Sequence, residues 1–61
     1  MYKIVETTDK KFVGVTLKNK PVVGQELSAD GSAGIVEEAV EFGDYVQVSN
    51  SNYVILVKEV K

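Results

Sequence analysis

The side chains that carry nucleophilic chemistry are few in this chain, and they lack the partners that would activate them. The serines are Ser28, Ser32, Ser49 and Ser51. A serine hydroxyl needs a neighbouring base, and the chain contains no histidine, while its lysines lie outside any recognisable catalytic motif. We therefore predict no catalytic serine.

Carboxylates are the second possible source of chemistry. Glu37 and Glu41 would lie ~13 Å apart along an extended strand, whereas glycosidase carboxylate pairs are separated by roughly 5–9.5 Å. On a helix the two would be adjacent, but on an exposed face without a cleft. Asp30 and Glu26 show no ordered metal-ligand spacing, and the chain has neither cysteine nor histidine. We expect a non-enzymatic protein with no metal site and no cofactor.

Aromatic side chains near lysines are the remaining candidates, because single-stranded nucleic acids bind to such surfaces. The possible binding surface consists of Tyr2, Phe12, Tyr45 and Tyr53, with Lys3, Lys10, Lys11, Lys18 and Lys20 nearby in sequence. The absence of arginine and a pI of about 4.9 disfavour a nucleic-acid partner. The other interpretation is that these tyrosines pack at the rim of a β-structure with their hydroxyls in water.

The elements that must position these residues are strands. Valine, isoleucine and threonine together supply 18 of the 61 residues, whereas alanine and leucine supply three each. β-Branched residues favour strands. Runs 2–7 and 12–17 predict a first hairpin, with Gly14 as a bulge or a point of close backbone approach. Pro21 lies outside any central strand because it cannot donate a ladder hydrogen bond.

The following segments extend this pattern to the C-terminus. Residues 22–27 predict a short edge strand, and Asp30-Gly31 predicts a turn. The alternating run 44–50 and the apolar run 52–60 predict a tight hairpin whose tip is Ser49-Asn50-Ser51-Asn52.

The spacing of these turns predicts an all-β fold in a single small β domain, residues 1–61. We expect a small antiparallel barrel of five to six strands, SH3-like or OB-like. Its predicted core is Ile4, Val13, Val15, Leu17, Val36, Val40, Val46, Val48, Val54 and Leu56.

Residues 33–42 leave one alternative open. As a helix, this segment would place Ile35, Val36, Ala39, Val40 and Phe42 on one apolar arc, and the fold class would become α+β. As a strand it has a looser pattern, but its apolar residues are mostly β-branched or aromatic and its C-terminal neighbours are predicted strands. Phe42-Gly43-Asp44 predicts a turn between antiparallel partners. The strand interpretation is preferred.

The same region resembles a known family. Gly34-x-Val36, Val40 and Gly43-Asp44-x-Val46 are similar to the glycine–valine–Gly-Asp pattern of lipoyl and biotinyl domains. That resemblance implies a modified lysine at a hairpin tip between two such halves. Here the tip, Ser49-Asn50-Ser51-Asn52, contains no lysine and the second half is missing, so we expect no attached cofactor.

Charge is unevenly distributed along the chain. The net charge is +3 over residues 1–20, −6 over residues 21–47 and +1 over residues 48–61, which sums to −2. This distribution indicates either that the two ends fold against an acidic middle or that copies of the chain pair through a dipolar surface. Because so short a chain buries a small core, we expect a homo-oligomer or another protein partner.

Both ends of the chain resemble another group of proteins. YKIVETTDKKFVG and VSNSNYVILVKE resemble stretches in short uncharacterised proteins encoded by bacteriophages. That resemblance implies an accessory protein in the host cytoplasm. No apolar run approaches the roughly 20 residues that span a bilayer, and the first residues lack the apolar core of a signal peptide. We expect a soluble cytoplasmic protein without a membrane partner.

Overall fold

The computed structural model describes residues 1–29 and 31–60, and within them the chain folds into two antiparallel sheets. The strands are β1 (Tyr2–Thr7), β2 (Thr16–Leu17), β3 (Glu26–Ala29), β4 (Ser32–Ile35), β5 (Glu38–Phe42), β6 (Tyr45–Ser49) and β7 (Val54–Glu59). The larger sheet has the order β2-β1-β7-β6-β5, and β3 pairs with β4 in the smaller one. One 3-10 turn, Lys10–Phe12, is the helical element of the described residues. The all-β prediction is confirmed.

The predicted barrel is wrong, because the larger sheet stays open. Its outermost strands, β2 and β5, are not hydrogen-bonded to each other. The two sheets meet instead at Val36: its N–H donates to the Gln25 carbonyl at 2.9 Å, and its carbonyl accepts from the Gly24 N–H at 2.9 Å. The backbone N–H of Glu37 then donates to the Ser49 carbonyl at 3.0 Å. The chain therefore passes from the small sheet into the large one at residues 36–37.

The first hairpin is shorter than predicted. Pairing of Tyr2 with Leu17 and of Lys3 with Thr16 confirms that the two segments meet. Residues 12–15 are not a strand, however, because the 3-10 turn and a left-handed Gly14 (φ +81°) occupy this segment. The predicted Gly14 bulge is therefore wrong, and the register shift of β1 falls at Val5, between residues 4 and 6.

The middle segments are partly as predicted. Pro21 lies outside the strands, as expected, and is buried. The predicted edge strand over 22–27 begins only at Glu26 and runs to Ala29. The predicted Asp30-Gly31 turn includes Asp30, which lies outside the described residues.

Residues 33–42 contribute to two strands, β4 and β5, so the strand interpretation is confirmed and the α+β alternative is wrong. Ala39 pairs with Val48, and the pairing continues to Phe42 opposite Tyr45. That register leaves Gly43-Asp44 as a two-residue loop, and Gly43 has the positive φ (+61°) that such loops require. Pairing with β6 supplies backbone hydrogen bonds that outweigh the helical pattern of the side chains.

The C-terminal hairpin is confirmed, with Ser49 opposite Val54. Asn50 organises its tip: the Asn50 Oδ1 accepts from the N–H of Asn52 at 2.8 Å and of Tyr53 at 3.0 Å. The backbone N–H of Asn50 also donates to the Tyr53 carbonyl at 3.0 Å. An asparagine side chain that caps its own backbone is the turn chemistry predicted for this sequence.

The core lies on one face of the large sheet, under the small sheet and the 3-10 turn. It consists of Ile4, Phe12, Leu27, Val36, Val46, Val48, Tyr53, Ile55 and Val57. The core prediction is confirmed at Ile4, Val36, Val46 and Val48, whereas Val13, Val40 and Val54 are exposed and Val15, Leu17 and Leu56 are half-buried.

The errors in β7 have one cause. Its nearly continuous apolar run does not reveal which alternate residues face inward. Pairing of Val46 with Val57 and of Val48 with Ile55 directs those side chains into the core, so Val54 and Leu56 point to the opposite face.

Candidate interaction surface

Two of the predicted surface aromatics are core residues. Phe12 is 1% exposed and Tyr53 is 5% exposed, and their ring centroids lie 5.2 Å apart at an interplanar angle of 57°. The Tyr53 hydroxyl donates to the Gly34 carbonyl at 3.2 Å, and burial raises the pKa of Tyr53, which keeps the hydroxyl protonated. The prediction that these two rings form a binding surface is therefore wrong.

Tyr2 is also on the core side of the sheet, where it is half-buried and packs against the core. Its hydroxyl donates to Glu59 Oε2 at 3.2 Å. Partial burial, followed by the hydrogen bond and charge of Glu59, raises the pKa of Tyr2. Nearby, Lys20 Nζ donates to Glu41 Oε1 at 2.6 Å, and this hydrogen bond raises the pKa of Lys20. Tyr2 therefore belongs to a polar cluster with Glu59, Lys20 and Glu41.

Tyr45 is the predicted aromatic that faces away from the core. Its ring stacks on Phe42, with centroids 5.9 Å apart and an interplanar angle of 20°. The ammonium group of Lys58 lies 5.7 Å from the Tyr45 ring centroid, within the distance of a cation–π contact. Sequence reasoning missed Phe42 as a surface residue, although the two-residue turn at Gly43-Asp44 places it opposite Tyr45 on the same face.

Six of the apolar residues that point away from the core form one surface, which we call the outer face. It consists of Val5, Val13, Val40, Phe42, Val54 and Leu56. The five residues other than Leu56 are between 41% and 70% exposed. A groove of about 500 Å³ runs across this face, lined by these residues except Val40 and by polar side chains that include Glu6 and Gln47. Isolated exposed valines are ordinary, but a contiguous apolar patch is typical of an interaction site.

Charged side chains occupy two opposite corners of the outer face. Lys3 pairs directly with Lys58, and Lys58 pairs with Tyr45, so both lysines lie at the corner where β1 and β7 meet the aromatic row. Glu38 begins β5 opposite Ser49, at the diagonally opposite corner. Among residues 1–29 and 31–60 the one ion pair is Lys20–Glu41, and these corner charges therefore have no ion-pair partner within the described chain.

Two further acidic residues, Glu37 and Glu41, have structural contacts. Glu37 Oε1 accepts from the Ser51 N–H at 3.0 Å, and Glu41 pairs with Lys20. Within the described residues, no three acidic side chains form a cluster suited to a metal ion. The outer face therefore offers apolar area, stacked rings and separated charges for binding.

Two further observations complete the description. In the part of the chain that the structure describes, no helix has the length and apolar character needed to cross a membrane. Comparison of the chain with protein-family models, curated proteins and solved structures finds no match.

Proposed function

We propose that this chain is a non-enzymatic interaction module that self-associates through the outer face of its five-stranded sheet. The observation that carries the proposal is the apolar character of this face, where Val40, Phe42 and Val54 are 47%, 49% and 41% exposed. The groove that crosses the face gives a partner side chain a place to pack. Resemblance of both chain ends to short bacteriophage-encoded proteins adds the proposal of an accessory role in a host cytoplasm.

The size of the molecule supports this use of the face. The accessible surface of the chain is 4063 Å², and a standard interface buries about 800 Å² of each partner, roughly a fifth of that surface. Burial of apolar surface contributes about 25 cal/mol per Å², which adds to the limited core of a 61-residue chain.

Val40→Lys is expected to weaken self-association by at least about tenfold, because an ammonium group would have to be desolvated in the interface. Ile35→Lys is the matched control. Ile35 on β4 is 49% exposed, compared with 47% for Val40 on β5, but it lies outside the outer face. Light scattering after gel filtration, over a series of concentrations, measures the mass relative to the 6.7 kDa monomer. A wild-type protein that stays monomeric throughout, or equal effects of both substitutions, would contradict the proposal.

A second candidate function is the binding of single-stranded nucleic acid. The observation that favours it is the row formed across the sheet by Phe42, Tyr45, Lys58 and Lys3, since bases stack on aromatic rings and phosphates contact lysines. The acidic composition and the missing arginine make this the weaker candidate.

This second function predicts that labelled oligonucleotides bind at low salt, that binding weakens at moderate salt and that Tyr45→Ala reduces it by about 1–3 kcal/mol. Fluorescence anisotropy titrations measure each effect. The buried tyrosine, Tyr53, is left unchanged in this variant. Absence of binding at low salt eliminates this function.

A further inference from the structure

We propose that the outer face selects a second copy of this chain through two symmetric ion pairs. Lys3 at one corner of the face pairs with Glu38 of the partner subunit, and Glu38 at the opposite corner pairs with Lys3 of the partner subunit. This inference rests on the proposed self-association and adds its partner, its geometry and the residues that determine its specificity. The other occupant with matching chemistry, a single-stranded nucleic acid, becomes an outcome of the test.

The first argument is the direct pairing of two like charges within the single chain. Lys3 and Lys58 are directly opposite each other on neighbouring strands, and like charges in that relation destabilise a sheet. The Tyr45 ring lies near the Lys58 ammonium group, but Lys3 has no such contact and no ion pair in the described chain. A carboxylate from outside the chain would relieve the repulsion.

The second argument is the shape of the face. Lys3 on β1 and Glu38 on β5 are separated by the strands β7 and β6, hence by three strand spacings, or ~14 Å. Along the strands, Lys58 and Val54 mark the two corner rows, and four residues span ~14 Å. The face is therefore nearly square, with the lysine corner and the Glu38 corner on one diagonal.

A square face permits a specific two-fold arrangement. The two-fold axis lies in the interface, along the diagonal that starts at the Phe42 corner. Rotation about it places the lysine corner of one copy opposite the Glu38 corner of the other. The strands of the two sheets then cross at about 90°, which is one of the two standard ways in which sheets pack. Phe42 lies near the axis and packs against Phe42 of the partner subunit, so one arrangement brings together these two rings and the oppositely charged corners.

The test exchanges the two charges. Lys3→Glu alone and Glu38→Lys alone are each expected to raise the dissociation constant of the homodimer about tenfold, since each replaces two attractive pairs with two repulsive ones. The double variant Lys3→Glu/Glu38→Lys restores the pairs and is expected to recover the wild-type value. An equimolar mixture of the two single variants is expected to form a heterodimer. Sedimentation equilibrium at low salt measures each constant, and circular dichroism verifies that each variant is folded.

Lys11→Glu and Glu26→Lys are the matched controls, because they make the same charge changes at exposed positions outside the outer face. A wild-type protein that does not dimerise contradicts both proposals. A wild-type dimer whose dissociation constant is insensitive to both single substitutions, or that the double variant does not restore, overturns the charge pairing and leaves the proposed function standing. A third outcome also overturns the charge pairing: an oligonucleotide dissociates the dimer, and Lys3→Glu abolishes its binding. The lysines would then bind phosphate groups.

Discussion

Phe12→Ala is expected to remove most of the stability of this domain. Phe12 is 1% exposed, and truncation of a buried phenylalanine to alanine typically costs about 3–5 kcal/mol through lost burial and the cavity left behind. At roughly 0.05–0.15 kcal/mol per residue, a 61-residue domain has a total stability of about 3–9 kcal/mol. The variant should therefore be largely unfolded or melt far below the wild type.

Phe42→Ala is the matched control for this prediction. It makes the same chemical change at a ring that is 49% exposed and stacks only at the surface, on Tyr45. Its expected cost is about 1 kcal/mol or less in a monomer. Urea denaturation, followed by circular dichroism at protein concentrations below those of self-association, compares the two free energies of unfolding. Equal costs for the two variants would show that Phe12 is not a core residue.

Gly34→Ala is expected to destabilise the fold by about 1–3 kcal/mol, because the added methyl group overpacks the interior. A Cβ atom at this position would lie 2.8 Å from Asn50 Nδ2 and 2.9 Å from Tyr53 Cε2. The Asn50 amide is held by its hydrogen bonds with the Ile35 carbonyl and the hairpin tip. Tyr53 is 5% exposed and is held by its hydrogen bond to the Gly34 carbonyl. The ring has little room to retreat, so the backbone of β4 must shift.

Thermal unfolding measures this effect, and a domain of this size loses about 4–8 °C in Tm per kcal/mol. Gly34→Val is expected to lower the Tm further, since it adds more volume at the same point. Ala33→Ser is the control on the same strand, because Ala33 is exposed and should tolerate the change. An unchanged Tm in Gly34→Ala would contradict the close approach of the Tyr53 ring.

Residue types alone predict only part of the candidate surface, because the register of the sheet decides which side chains are exposed. Tyr45 was predicted as a surface aromatic, and it lies on the outer face. Phe12 and Tyr53, with the same chemistry, lie in the core. The association of Lys58 and Lys3 with the aromatic row depends on pairing between strands far apart in sequence, and nothing local in the chain reveals it.

Local patterns determined some of the elements of this protein. β-Branched residues predicted strands, Asn50 and its neighbours predicted the hairpin tip, and Gly43-Asp44 predicted the turn after Phe42; the structure contains all three. Composition alone excluded thiolate and histidine chemistry, because the chain has neither residue. These features depend on backbone preferences and side-chain chemistry within a few residues, which the sequence states directly.

Only the tertiary structure decided which way the strands face and whether the sheet closes. In β7, either alternate set of an apolar run can point inward, and pairing of Val57 with Val46 selects the core set. The sheet remains open, since its outer strands β2, which has two residues, and β5 are not hydrogen-bonded to each other. Both outcomes follow from long-range packing, since the free energy of burying Phe12, Ile55 and Val57 together outweighs the preference of any single segment.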